Sequence, residues 1–239
     1  MPLKLIYNAM KSHLYLHDLL RKYYKSEIHS FVEVLNKKLF PAFLNIEAES
    51  DDIADEYYEA VCQSDGIEDY DLAEAAEVAF EKGLDHYLCS NLVKYEFTAM
   101  SIATLYILWE QQVRRFLYRE MRHTFEIDFT RFCTKGIKEI KDYFAYHNLN
   151  IESLQCWDKI DELRLLCNII KHGDGTSADQ LLAKNSNLFK PEFNKSQDGL
   201  PLETTLLEET LNISQDLFND YASILISFWN ELPERAYSL

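Results

Sequence analysis

The sequence predicts an all-α protein, and three observations lead to this prediction. Glycine and proline are scarce, at 6 and 5 of 239 residues, so few positions interrupt a helix. Apolar residues make up 47% of the chain and recur at helical spacing, whereas strand-like alternation never lasts more than a few residues. The segment 100–116 is apolar enough to lie in the centre of a bundle.

The predicted helices follow one another with mostly short connections, which is typical of a helical bundle. Pro41 is expected to bend or end the first helical region, and Gly83 to interrupt the longest one. Asp71 and Glu74 form a capping-box pattern at the start of that long helix. The predicted helical stretches are 5–44, 51–62, 71–122, 132–146 and 153–172, then a short helix from 176 and a last one from 214, with a turn at 63–66 and a loop over 185–199.

The succession of predicted helices suggests a bundle with an N-terminal extension, and most of the negative charge lies in one segment. Residues 1–66 are predicted to form an N-terminal helical extension with an acidic segment, and residues 67–239 the bundle. The segment 47–85 carries 15 acidic residues against one lysine, a balance of −14, whereas the whole chain carries −16. The segment is either a solvated surface or a docking surface for a basic protein partner, or it keeps RNA away until a trigger moves it. All of these interpretations stay open.

Several classes of protein are disfavoured by the cysteines and the hydropathy. The five cysteines are odd in number and never paired as CxxC, which argues against a zinc ribbon or a disulfide framework. The N-terminus lacks a signal-peptide pattern, and the longest weakly polar run, 97–109, is too short to span a bilayer. We therefore expect a cytoplasmic protein without a membrane partner.

Metal and cofactor sites are not predicted. His13 and His17 have the i, i+4 spacing of two zinc ligands on a helix. No third ligand cluster accompanies them, and the neighbouring leucines favour a helix that packs on the bundle. No motif for a nucleotide cofactor or a Ser or Cys nucleophile is present.

The candidate site lies at the end of the predicted helix 153–172. Arg164, Asn168 and His172 are spaced four residues apart, so they share one edge of that helix, and Gly173 is expected to end it directly after His172. Histidine transfers protons near neutral pH and arginine binds phosphate, so the three could hold and cut a phosphodiester. The alternative is an ordinary helix terminus, in which Arg164 pairs with Asp161 or Glu162.

Three segments resemble the HEPN superfamily, a family of helical bundles that includes many metal-independent RNases of bacterial toxin–antitoxin and antiphage systems. They are 105–112, 162–175 with its continuation to 189, and 228–232, so the resemblance covers roughly residues 70–235. The Asn-x-x-Lys-His-Gly pattern at 168–173 is typical of the family. In its catalytic pattern an arginine directly precedes the polar residue, and here Cys167 occupies that position.

The resemblance implies a function. A HEPN-type enzyme would cut RNA without a metal, at a composite site across a homodimer, with His172 as acid or base and Arg164 and Asn168 on the phosphoryl oxygens. Arg114, Arg115 and Lys171 would line the approach. The alternative is a catalytically silent HEPN-like module that binds a partner protein or a nucleotide.

The positively charged side chains of the sequence are concentrated between residues 114 and 141. This basic concentration comprises Arg114, Arg115, Arg119, Arg122, Arg131, Lys135, Lys138 and Lys141.

Overall fold

The computed structural model describes residues 4–5, 11–63, 72–134, 136–190 and 209–238. Most of these residues are helical, which confirms the all-α prediction at the level of fold class. None of the helices in the described ranges is long and apolar enough to cross a bilayer. The helices are α1 (Asp18–Val34), α2 (Ile46–Cys62), α3 (Leu72–Met121), α4 (Ile137–Tyr146), α5 (Trp157–His172), α6 (Thr176–Lys184) and α7 (Gln215–Glu231).

Short helical turns connect some of the helices, and four short strands form two antiparallel pairs. Leu35–Leu39 forms a π-helical turn, and Phe40–Phe43, Phe129–Arg131, Ile151–Ser153 and Ser186–Leu188 form 3-10 turns. The strands are β1 (Lys4–Leu5), β2 (His13–Tyr15), β3 (Phe125–Glu126) and β4 (Arg235–Tyr237). β1 pairs antiparallel with β3, and β2 pairs antiparallel with β4.

The prediction that the first helical region begins at residue 5 was wrong. In β2, Leu14 is buried and His13 is exposed, and Leu14 lies opposite Ala236 of β4, so a period of two prevails over this short segment. Helix α1 begins only at Asp18, where the ring nitrogen Nδ1 of His17 accepts the backbone N–H of Leu20 at 3.2 Å. His13 and His17 therefore do not share a helix face, and the zinc-ligand spacing has no structural counterpart.

The chain forms two compact units. The larger contains residues 1–33 and 100–239, and the smaller contains residues 34–99, so α3 contributes its second part to one and its first part to the other. The predicted domain boundary between residues 66 and 67 lies outside the described residues, as does Asp71 of the predicted capping box.

Aromatic side chains fill the core of the larger unit. Trp109 of α3 is fully buried and meets Phe228 of α7 edge-to-face, with 5.1 Å between the ring centroids. Trp229 stacks on Tyr24 of α1 at 4.3 Å, and its indole N–H donates to the buried Gln112 at 3.0 Å. The expectation that the segment 100–116 lies in the bundle centre is confirmed. The buried aromatic rings and polar partners thus connect α1, α3 and α7.

In the smaller unit α2 packs closely against the first part of α3. The prediction that α3 is interrupted near Gly83 was wrong, because α3 is one continuous helix. A β-carbon at Gly83 would lie 2.8 Å from the backbone oxygen of Ser50 and 3.1 Å from the side chain of Ala54. Glycine is therefore required here for the close approach of two helices.

Two further helices begin later than predicted. α4 starts at Ile137 instead of residue 132, because Cys133 and Gly136 have positive φ angles of 53° and 66°. α5 starts at Trp157 instead of residue 153, because the chain is extended at Leu154. The last helix begins as predicted, since the Ser214 side chain accepts the N–H of Leu217 at 3.1 Å and caps α7.

Candidate functional site

Helix α5 ends where the sequence predicts. Gly173 adopts a positive φ of 72°, and its N–H donates to the carbonyl of Ile169 at 2.7 Å. Such a φ favours glycine, which explains why the helix stops at this residue. His172 is thereby left on the last turn with its side chain exposed, and it makes no hydrogen bond or ion pair with any residue that the structure describes.

Arg164 is engaged by an acidic residue of its own helix. Its Nε and Nη2 atoms lie 2.9 and 2.8 Å from Oδ1 of Asp161. Lys184 of α6 lies 3.2 Å from the other oxygen of the same carboxylate. Partial burial would raise the pKa of Asp161, but the hydrogen bonds and charges of the two cations hold it below its usual value. The sequence left two alternatives for Arg164, a phosphate contact or an ion pair with a neighbouring carboxylate. The ion pair, with Asp161, is present.

Asn168 and His172 form no hydrogen bond with Arg164. Asn168 donates from Nδ2 to the hydroxyl of Ser177 on α6 at 3.3 Å, which joins the two helices. Arg164 and His172 are eight residues apart, so about 12 Å of helix axis separates them, and the Arg164 guanidinium is bound to Asp161 on the preceding turn. Within one chain the structure does not bring the guanidinium and the imidazole together.

Cys167 lies in the core, not on the edge of α5. Its side chain is fully buried, and its thiol donates to the backbone oxygen of Ala103 on α3 at 3.7 Å. Burial raises the pKa of this thiol, although the neighbouring Lys171 acts in the opposite direction. Lys171 itself is exposed. An arginine in place of Cys167 would place its guanidinium against α3.

Glu162 is a buried carboxylate whose role the sequence analysis missed. Its oxygens accept from Lys159 at 2.9 Å, from the amide of Asn185 at 3.0 Å and from the hydroxyl of Tyr221 at 2.9 Å. Glu162 therefore fastens α5 to α7 and to the residue that follows α6. Its position on the apolar face of α5 was the available signal, since a buried carboxylate needs several donors.

The two arginines predicted to line the approach belong to different pockets. Arg114 lines a pocket of about 350 Å³ together with Glu110 and Cys133. Gly136, which precedes α4, also lines this pocket, and a β-carbon there would lie 3.9 Å from a Glu110 oxygen. Arg115 points to a different groove, because consecutive residues on a helix are 100° apart.

The groove of Arg115 is larger, at about 480 Å³. It lies between α1 and the second part of α3, and Arg115 and Arg119 line it from α3, together with Arg122, which directly follows that helix. Leu20, Tyr23 and Tyr24 line it from α1. The spacing i, i+4, i+7 of the three arginines was a signal in the sequence that would have predicted a common face.

The described part of the acidic segment is exposed and belongs to the smaller unit. All of its described acidic residues are exposed, and its single lysine, Lys82, lies over the ring of Tyr57. A pocket of about 300 Å³ between α2 and α3 combines Glu47 and Asp51 with the exposed ring of Phe80. The described acidic residues are Glu47, Glu49, Asp51, Asp52, Asp55, Glu56, Glu59, Glu74, Glu77, Glu81 and Asp85.

Comparisons with protein-family models, with curated proteins and with solved structures gave no match for this chain. The described residues contain no group of three or more His, Cys, Asp or Glu side chains that could hold a metal ion.

Proposed function

We propose that this chain is a catalytically silent HEPN-like module that binds a partner. The observation that carries the proposal is the ion pair of Arg164 with Asp161, at 2.8 Å and half-buried. The guanidinium that would stabilise a phosphoryl group is neutralised on its own helix. The position of the family's arginine is Cys167, which is buried against α3. Neither position offers a cation beside His172.

A second function, metal-independent RNA cleavage in bacterial defence or as a toxin, is favoured by the exposure of His172. The imidazole lies at the end of α5 next to the exposed Lys171, with Asn168 one turn earlier. In this mechanism His172 transfers a proton to or from the ribose 2′-OH, and Lys171 or a residue from a second copy supplies the positive charge. A homodimer about a two-fold axis would place two such helix ends in one cleft.

An RNA-cleavage assay in EDTA separates the two functions. The variants are His172→Ala and Asp161→Asn, with His123→Ala as the matched control because His123 is also exposed but lies outside α5. The silent module predicts no cleavage by the wild type above the level of His172→Ala. It also predicts no gain in Asp161→Asn, in which Arg164 is released.

The opposite results would support the nuclease. Cleavage that leaves 2′,3′-cyclic phosphate ends, persists in His123→Ala and vanishes in His172→Ala would overturn the silent module. A further increase in Asp161→Asn would show that the ion pair restrains the enzyme. Light scattering on the same samples measures the assembly, and a monomer at micromolar concentration would contradict a composite site.

A further inference from the structure

The groove between α1 and α3 concentrates positive charge in a strongly acidic protein. Arg115 and Arg119 lie one turn apart on α3, Arg122 directly follows the last residue of that helix, and all three are exposed and line the groove. None of the three guanidinium groups forms a hydrogen bond or an ion pair with a residue that the structure describes. Three guanidinium groups that face one groove without bound carboxylates are suited to hold an anion.

In the part of the chain that the structure describes, two carboxylates lie near this groove, and uncharged donors engage both of them. Glu27 accepts from the hydroxyl of Tyr23 at 2.6 Å and from the amide of Gln112 at 2.9 Å. Glu120 accepts from the backbone N–H of Tyr15 at 3.2 Å. Among the described residues, three cations thus stand against two carboxylates, and both carboxylates accept hydrogen bonds from uncharged donors.

The wall of the groove opposite the arginines is aromatic and firmly held. Tyr24 is buried and stacks on Trp229, and its pKa is raised to about 12 by burial, against which the charges of Arg119 and Arg115 act. Tyr23, beside it, exposes 54% of its surface. A buried ring supports the wall, and an exposed ring remains available for stacking.

We propose that this arginine groove binds a nucleoside polyphosphate. The three arginines would take the phosphates, since guanidinium groups bind phosphate oxygens with paired donors. The exposed ring of Tyr23 would stack on the base. The volume of about 480 Å³ lies in the range of sites that enclose small molecules. This inference does not depend on whether α5 catalyses a reaction.

Isothermal titration of the full chain with ATP, ADP, AMP and inorganic tripolyphosphate tests the proposal. Affinity should rise with the number of phosphates and fall as salt is added, because the contacts are charged. The triple variant Arg115→Gln, Arg119→Gln, Arg122→Gln should lose binding, by about tenfold or more for each arginine that contacts a phosphate. The matched triple variant Arg131→Gln, Lys138→Gln, Lys141→Gln removes the same charge from exposed or partly exposed positions outside the groove and should bind as the wild type does.

The single variant Tyr23→Leu distinguishes the nucleoside from its phosphates. It should weaken ATP binding by about tenfold more than tripolyphosphate binding, because only ATP loses a stacked base, whereas loss of the Tyr23 hydrogen bond that engages Glu27 affects both ligands. Absence of ATP binding at millimolar concentration would overturn the proposal, and so would an equal loss in the two triple variants. Binding of a single-stranded oligonucleotide without binding of any mononucleotide would also overturn it. Circular dichroism melts of all variants check that each one is folded.

Discussion

The hydroxyl of Tyr221 donates a hydrogen bond to the buried carboxylate of Glu162 at 2.9 Å, which fastens α7 to α5. The same carboxylate accepts from Lys159 and Asn185, so its charge is compensated without solvent. Burial and the neighbouring carboxylate both raise the pKa of Tyr221, so the phenol stays protonated and remains a donor. Glu162 thus has a structural role that does not depend on whether His172, at the end of α5, takes part in catalysis.

Tyr221→Phe should lower the free energy of unfolding by about 1.5–3 kcal/mol, because it removes one hydrogen bond to a buried charged group and changes little else. Urea denaturation measures the difference. Tyr146→Phe is the matched control, since Tyr146 is 45% exposed, and it should change the stability by less than about 0.5 kcal/mol. Equal effects of the two variants would show that the Tyr221–Glu162 bond adds no stability.

Gly83→Ala should destabilise the protein, although alanine favours a helix over glycine by about 1 kcal/mol. The new β-carbon would lie 2.8 Å from the Ser50 backbone oxygen, and overpacking of this kind costs about 1–3 kcal/mol. The matched control is Ala76→Gly, at an exposed position of the same helix, which should lower the stability through helix propensity alone. A stabilised Gly83→Ala protein would mean that α2 and α3 can move apart without cost.

The buried His147 should make the protein less stable in mild acid. Its Nδ1 donates to the Tyr143 carbonyl at 2.8 Å, and in the neutral ring its Nε2 accepts from the Ser12 hydroxyl at 2.9 Å. Burial lowers its pKa from the ordinary value of 6.5, partly opposed by the bond to Tyr143. The unfolded chain therefore binds the proton more readily, and stability that is complete above pH 6.5 is lost as the pH falls below it.

Urea midpoints at pH 7.5 and pH 5.5 measure this dependence. His147→Gln should reduce the loss between the two pH values, because its side chain carries no proton to take up. His123→Gln, which replaces an exposed histidine, should keep the wild-type loss. If His147→Gln also keeps it, another group is responsible for the acid sensitivity.

The sequence was sufficient to predict the helices that bury a continuous apolar face, and to predict the residue at which α5 ends. Gly173 follows an apolar helix and precedes a second glycine, so its role depends on local backbone preference alone. Gly83 was misinterpreted because its role depends on Ser50, a contact between helices that no local pattern contains. The strand at residues 13–15 was missed because it forms only by pairing with residues 235–237 at the other end of the chain.

The candidate site was predictable in position but not in the pairing of its charges. The four-residue spacing placed Arg164 and Asn168 on one edge of α5. The pairing of Arg164 with Asp161 was one of two alternatives, and Lys184 joins that pair only through the packing of α6 on α5. Arg115, Arg119 and Arg122 were visible as a cluster of charge, whereas their common groove depends on the tyrosines of α1.

The acidic segment remains a predicted docking surface for a basic protein partner, and its pocket between α2 and α3 allows a direct test. A basic amphipathic peptide would place apolar side chains against Phe80 and its cations near Glu47 and Asp51. The variant Glu47→Gln, Asp51→Asn should weaken binding of such a labelled peptide in a fluorescence-anisotropy assay by several-fold, and added salt should have the same effect. The control Glu74→Gln, Glu77→Gln removes the same charge outside this pocket and should change the affinity much less. Equal weakening by the two variants would mean that the segment attracts cations through its overall charge and has no defined docking site.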